Sequence, residues 1–246
     1  MRTDHATDLE ITMENPVLRG DLSFEDYHEI LSSEPRTISV SYQDRHLFEI
    51  TIPPSVFNPI ISRSAQALID IILKGDIPVA GSRFVDLGCG CGIIGLAAAE
   101  KSSKSVLYTD INPNIDFLQS HPKFRPDIDR VMTQSFCEKE KENSADIVVF
   151  SLPSRIRDQK PSDESVKAAY LRDLDFIPTM IKKISHVLVS GGRFVFWYGI
   201  HPNQMHYFSQ FIIELSEFFD RNSLACLLEY QFEDGYTSTI YSIVKK

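Results

Sequence analysis

The sequence predicts an α/β protein, a mostly parallel β-sheet with helices on both faces, from three observations. From Arg83 onward, short apolar runs rich in β-formers alternate with helix-length segments. RFVDL is followed by GIIGLAAAEK, SVLYTD by INPNIDFLQS and then the strand RVMTQSF, and ADIVVFSLP and GGRFVFWYG each by a further helical stretch. Such alternation is the pattern of parallel strands joined by crossover helices. A glycine-rich turn, Asp86-Leu87-Gly88-Cys89-Gly90-Cys91-Gly92, joins the first of these strands to its helix. Finally, two strands near 227–232 and 237–244 close the chain with only a Glu233-Asp234-Gly235 turn between them, which makes that pair antiparallel.

Before this regular region the chain reads as an extension over residues 1–52, with the main domain over 53–246. Residues 1 to about 35 are polar, and Phe24, Tyr27, Ile30 and Leu31 share one helical face, which predicts a helical arm. Alternating stretches at 37–42 and 46–51, split by Gln43-Asp44-Arg45, predict a β-hairpin. Arm and hairpin together are expected to act as a lid or a dimer contact, in a monomer or homodimer. Pro53-Pro54 and Asn58-Pro59 mark a loop, after which Ser64 caps a helix carrying Leu68, Ile69, Ile72 and Leu73 up to Gly75. Later, one helix ends near Asp175 and another begins at Pro178 as its first residue, carrying Met180, Ile181, Ile184, Val187 and Leu188. The last helix repeats Met205, Phe208, Phe211, Ile212, Leu215, Phe218 and Phe219 at three-and-four spacing, a stripe that belongs to the core, as does Trp197.

Composition narrows the function. With 25 Lys+Arg against 34 Asp+Glu the net charge is -9, so a general polyanion-binding surface is not expected and nucleic acid is a minority partner. No apolar run approaches the roughly 18 residues of a membrane span, and MRTDHATDLE is polar where a secretory signal is apolar. A cytoplasmic protein without a membrane partner is expected. Cys89, Cys91, Cys137 and Cys226 fit neither a disulfide framework nor a zinc spacing and read as reduced core or loop thiols. The seven histidines are scattered, His201 and His206 included, so no metal is expected.

The chemistry concentrates in the glycine turn. Glycines permit positive φ and close backbone approach, and a helix start offers unpaired N–H groups, so the turn reads as a ligand cradle. Asp110 ends the next strand, 24 residues after Asp86, where a carboxylate accepts hydrogen bonds from both hydroxyls of a ribose. Dinucleotide folds use G-x-G-x-x-G to bring a helix start against a pyrophosphate, whereas here the spacing is D-x-G-x-G-x-G.

Taken with Y-T-D, D-I-V-V-F-S-L-P-S and S-G-G-R-F, that turn resembles class I S-adenosylmethionine-dependent methyltransferases over about residues 50 to 246. The resemblance implies a Rossmann-like seven-stranded sheet with its last strand antiparallel, and S-adenosylmethionine as cofactor. It implies that the Gly88, Gly90 and Gly92 backbone contacts the amino-acid part of the cofactor, that Asp86 helps hold its amino group, that Asp110 binds the ribose and that Ile111 packs near the adenine. The segment Pro54-Ser55-Val56-Phe57-Asn58-Pro59 is similar to that preceding the first core strand in methyltransferases of RNA bases and protein glutamine, which assigns Phe57 and Asn58 to the cofactor.

Two departures bear on the substrate. Ser151-Leu152-Pro153-Ser154 replaces the Asn-Pro-Pro-Tyr tetrapeptide that grips a planar amide or amine, removing an amide group and a stacking aromatic. After the third strand, Gln134-Ser135-Phe136-Cys137 replaces an acidic residue directed at the adenine amino group, leaving that work to the Ser135 hydroxyl or the Phe136 backbone, with Phe136 equally readable as core. Ser151, facing the transferred group by its motif position, is the first catalytic candidate, with Tyr198 and Tyr170 beside it; Ser154, Gly199 and His201 are further substrate contacts. The expected activity is methyl transfer to a small molecule or other acceptor. One alternative is attack at the cofactor's γ-carbon, including cyclisation to a four-membered amino acid with release of methylthioadenosine, and another is a non-catalytic cofactor-binding module.

Overall fold

The computed structural model describes residues 8–14, 30–31, 33–61, 63–152, 155–156, 170–171, 176–200, 205–231 and 237–246. Its strands in chain order are β1 (Leu9–Met13), β2 (Arg36–Tyr42), β3 (Arg45–Ile52), β4 (Arg83–Leu87), β5 (Ser105–Asp110), β6 (Arg130–Thr133), β7 (Ala145–Ser151), β8 (Arg155–Ile156), β9 (Tyr170–Leu171), β10 (Leu188–Ile200), β11 (Phe219–Gln231) and β12 (Thr237–Lys245). The helices are α1 (Arg63–Lys74), α2 (Ile93–Glu100), α3 (Phe176–Val187) and α4 (Met205–Phe218), with 3₁₀ turns at Pro59–Ile61 and Pro113–Ser120.

Seven strands form the main sheet in the order β6-β5-β4-β7-β10-β12-β11. β4 to β7 and β10 run parallel, and β12 lies antiparallel between β10 and β11, as the closing pair predicted. Side chains of a strand alternate between faces, and the core divides accordingly. Phe84, Val106, Tyr108, Val149, Val195 and Trp197 face α1 and α2. Val85, Leu107, Val148, Phe150, Phe194 and Phe196 meet Met180, Ile181 and Ile184 of α3 and Phe211 and Leu215 of α4. α2 is apolar nearly all round, Ile93 through Ala98 being buried, as expected of a short helix covered on every side.

The hairpin stands as predicted, with Arg36–Tyr42 paired antiparallel to Arg45–Ile52. Within the expected helical arm, Ile30 and Leu31 are helical, but Leu9–Met13 is instead a third strand, paired antiparallel to β2. Leu9 and Met13 are buried in the same cluster as Ile38, Val40, Phe48, Ile50, Leu68, Ile69 and Trp197, so the N-terminal sheet and the α1/α2 face share one core. Arg45 pairs with Glu100 of α2 at 3.0 Å, and His121 Nε2 bonds Glu49 O at 2.8 Å. Ile38 is 0% exposed, so Ile38→Ala should cost about 2–4 kcal/mol. Urea unfolding followed through Trp197 and by far-ultraviolet dichroism should show that loss as one shared transition. A separate early transition for the sheet would instead mark it as an independent unit.

Other boundaries shift for local reasons. INPNIDFLQS folds as a 3₁₀ helix, with Pro113 in its first turn and the Asn112 side chain accepting from Asn114 N. Ser64 is the second residue of α1, not its cap. α3 begins at Phe176, two residues before Pro178, which stays in the first turn where an N–H has no helical partner. Leu188 and Phe219 open β10 and β11 instead of ending helices. Tyr170 lies in a two-residue strand parallel to Arg155–Ile156, not in a helix. Phe24, Tyr27 and the 233–235 turn lie outside the described residues.

Ionic staples secure the strand ends remote from the glycine turn. Arg83 reaches Asp146 through its backbone N, Nε and Nη2, and holds that carboxyl below its ordinary value. Asp129 accepts Val106 N at 2.8 Å and is gripped by Arg125.

Candidate functional site

At the carboxyl end of β4 the chain turns through Gly88, Gly90 and Gly92, with φ of 64°, 50° and 76°. Two of these glycines are enforced by packing. A Cβ on Gly88 would sit 2.8 Å from Phe150 Cε2, and one on Gly92 would sit 2.6 Å from Leu118 Cδ2. Gly90 differs, because a Cβ there would meet Phe57 Cβ at 3.9 Å, an ordinary contact, so at this position packing does not enforce glycine.

Asp110 ties the start of the Pro113–Ser120 helix and the chain after β6 to this turn. Its Oδ2 accepts Gly90 N and its Oδ1 accepts Asn112 N, both at 2.9 Å, while its carbonyl accepts Gln134 N at 2.9 Å. Asn112 Nδ2 in turn donates to Ser55 O at 2.8 Å, drawing in the segment before α1. Cys89 N donates to Thr109 O at 3.0 Å, so the turn is fixed to β5 by main chain as well.

Asp86 is 1% exposed. Its Oδ2 accepts Gly95 N of α2 at 2.8 Å, and its Oδ1 has no hydrogen-bond partner among the described residues. Burial, against the pull of that one N–H and with a further push from Asp110, raises its carboxyl from 3.8 to about 7. Cys91 is buried beside it with its thiol pushed up to about 12 by desolvation, and Cys89 is raised likewise. These thiols are therefore neutral and poorly nucleophilic.

Next to Asp110, Ile111 is 66% exposed, an apolar side chain placed at the site's open edge. Phe57 is half-buried next to Gly90. Asn58 is 0% exposed and committed inside the protein: its Oδ1 accepts Ile60 N at 3.1 Å and its Nδ2 donates to Met13 Sδ at 3.8 Å, which anchors β1. Phe136 stacks on Phe176 with centroids 5.6 Å apart and packs with the α3 face, while Ser135 is half-buried and its carbonyl accepts Glu138 N.

The catalytic candidates do not all converge. Ser151 Oγ donates to Ser64 Oγ at 2.7 Å on the α1 face, in register with Trp197. Tyr198 follows Trp197 and points to the opposite face, its ring 5.0 Å from Phe208 and 5.3 Å from Phe211. The Tyr170 side chain, Ser154 and His201 lie outside the described residues. No group of three or more potential metal ligands occurs among the described residues.

Sequence reasoning gave Ser64, whose partner is 87 positions away, only a capping role, and gave Gln134 no role of its own. Gln134 is buried, with Oε1 accepting Lys139 N at 2.9 Å and Nε2 lacking a partner among the described residues. Its place immediately after β6 was the available signal.

A family model described as lysine methyltransferase matches residues 63–134, the part that builds the turn, Asp110 and Gln134. A search of curated proteins found no match. Among solved structures, the chain is similar to SMU.776 in complex with SAH (TM-score 0.58, 12% identity, 85% of this chain and 56% of that one). It is also similar to TYW2 of P. horikoshii in complex with MeSAdo (TM-score 0.55, 16% identity, 85% and 72%). A third likeness is to the N-methyltransferase NodS of Bradyrhizobium japonicum WM9 with S-adenosyl-L-homocysteine (TM-score 0.52, 14% identity, 76% and 88%). The chain thus spans a little over half the length of SMU.776. At these identities the likenesses show the fold, which is the Rossmann-like fold of class I methyltransferases. No helix among the described residues is long and apolar enough to cross a membrane.

Proposed function

We propose that the chain is an S-adenosylmethionine-dependent methyltransferase acting on a small molecule that carries an N–H or O–H at the methylated atom. The observation that carries the cofactor reading is the glycine turn held by Asp110, whose Oδ2 accepts Gly90 N, with the buried Asp86 carboxyl close by, its Oδ1 without a hydrogen-bond partner among the described residues. Its donor set fits the cofactor. Asp110 has lone pairs left that would take ribose hydroxyls, Asp86 would suit a cationic amine, exposed Ile111 would pack near the adenine, and Gln134 Nε2 or Ser135 would serve the adenine edge. S-adenosylmethionine, when bound, supplies a methyl group activated by a sulfonium.

Ser151 supports the acceptor class. Its hydroxyl hydrogen is given to Ser64, so toward the acceptor Oγ offers lone pairs only and selects a group that donates. Its role is orientation, the main source of rate in such a transfer. The net charge of -9 weighs against a polyanionic acceptor. The lysine methyltransferase match ends at residue 134, before Ser151, and does not extend to the residues assigned to the acceptor.

The test is incubation of the protein with S-adenosylmethionine and a panel of small amines and alcohols, with nucleoside products followed by mass spectrometry. Acceptor-dependent S-adenosylhomocysteine is expected. Methylthioadenosine as the main product would replace methyl transfer by attack at the γ-carbon, and an unchanged cofactor would favour a binding module. Ser151→Ala should lower turnover roughly tenfold, the worth of one hydrogen bond, while leaving S-adenosylhomocysteine affinity within about twofold.

A further inference from the structure

We infer that Ser64 of α1 sets the specificity of methyl transfer: by holding the hydroxyl hydrogen of Ser151, it makes that serine demand an N–H or O–H on the methylated atom. Ser64 is a positioning residue that acts through Ser151. The inference rests on the reading of Ser151 as the acceptor contact and assigns the polarity of that contact to a second side chain.

Register brings the pair to the site. Leu87 of β4 is paired with Phe150 of β7, so Ser151, the next residue, stands level with the start of the glycine turn. Ligands of open parallel sheets bind at these carboxyl ends. Trp197 of β10 is in register with Ser151, on the face that α1 covers. Ser151 is half-buried and Ser64 is buried, so of the two hydroxyls it is Ser151 that is open to a ligand. Ser64 is carried there as the second residue of α1. The turn leading into α1 is fixed by Asn58, whose Oδ1 accepts Ile60 N and whose Nδ2 donates to Met13 Sδ of β1.

A serine hydroxyl left to itself is indifferent to polarity, because it turns either to donate to a lone pair or to accept from an N–H. Here the hydrogen is committed: Ser151 Oγ donates to Ser64 Oγ at 2.7 Å. Only lone pairs remain toward a ligand. A neutral secondary amine meets them with its N–H and keeps its own lone pair for the methyl carbon. The amine nitrogen forms its bond to that carbon as the carbon–sulfur bond breaks, the electron pair staying on sulfur, and the methylated ammonium then loses its N–H proton to water. A tertiary amine brings no hydrogen and leaves the Ser151 lone pairs unmet, which costs affinity. Without the Ser64 hydroxyl, Ser151 is released to donate to the amine's lone pair. That bond competes with attack on the methyl carbon, and it is open to tertiary amines as well.

The probes are N-methylaniline and N,N-dimethylaniline, weak bases that are neutral at pH 8 and differ by the one N–H. Calorimetry of the full chain saturated with S-adenosylhomocysteine should show roughly tenfold tighter binding of N-methylaniline. Turnover with S-adenosylmethionine should follow the same preference. In Ser64→Ala the preference in binding should fall to within about twofold, kcat for N-methylaniline should drop, and S-adenosylhomocysteine affinity should stay within about twofold of native. Ser64→Thr, which keeps a hydroxyl, should restore the preference. A preference that survives in Ser64→Ala, or that Ser64→Thr fails to restore, overturns the inference and leaves methyl transfer standing. A native chain that holds S-adenosylhomocysteine and treats the two anilines alike overturns it too. If that chain binds neither aniline, Ser151 is removed as a contact for amines and the inference falls with it. Failure to bind S-adenosylhomocysteine overturns the cofactor reading itself.

Discussion

Asp110→Ala weakens S-adenosylhomocysteine binding by roughly a hundredfold or more, about 3 kcal/mol at the low end of two lost charge-assisted hydrogen bonds. The expectation comes from what the carboxylate already holds. Oδ2 fixes Gly90 N, at the one glycine of the turn where an added Cβ would make only ordinary contact, and Oδ1 fixes Asn112 N, whose side chain anchors Ser55. Alanine frees both N–H groups, so the turn and the start of the Pro113–Ser120 helix lose their shared anchor before any ribose contact is counted. Asn is no rescue, because its amide offers an acceptor to one N–H and a donor to the other. Calorimetry with S-adenosylhomocysteine measures the loss, and a thermal melt separates it from unfolding. A folded variant binding within twofold of native would remove Asp110 from the site; one that melts early yet binds normally would reduce it to a hinge.

How much of this site could be read in advance depended on distance along the chain. β4, the glycine turn and Asp110 were legible because each is a local pattern: an apolar run, a positive-φ turn, an acid at a strand end. Tyr198 was misplaced relative to Ser151 for a physical reason. Phe194 to Trp197 are all buried, so the strand carries no polar alternation to tell its two faces apart. Only the pairing of Trp197 with Ser151 shows that Tyr198 points away from Ser151. β1 was hidden because five residues between polar flanks form a strand only by pairing with β2, which places Leu9 and Met13 in the core. Asn58 follows from β1: with Met13 in place, its amide has a partner inside the protein and is spent there. Ser64 meets Ser151 only because α1 packs across the sheet, and no spacing rule reaches that far. By contrast, the hairpin and the antiparallel closing pair were visible because their partners are neighbours in sequence.

Asp86→Asn should raise the melting temperature of the free protein at pH 8 by roughly 5 °C, although it costs the cofactor its charged contact. In the unfolded chain the carboxyl ionises near 3.8, while in the folded chain burial delays ionisation to about 7. The folded state therefore binds more protons between these values, and stability falls as pH rises across that window. Above it the full difference, on the order of 4 kcal/mol, is set against the free protein. Asparagine carries no charge to desolvate and still accepts from Gly95 N, so it recovers part of this penalty. The gain should shrink as pH is lowered to 5, where native Asp86 is already protonated in the fold. Melting curves of both proteins at pH 5 and 8, without cofactor, test this. A gain equal at both values would trace to packing and not to charge, and no gain at pH 8 would mean that Asp86 is not held near 7. Saturating S-adenosylhomocysteine should reverse the order at pH 8, since the native carboxylate then has its countercharge and the amide does not. The same unpaired oxygen thus destabilises the empty protein and favours the occupied one, which is the trade expected of a binding group held ready in a dry site.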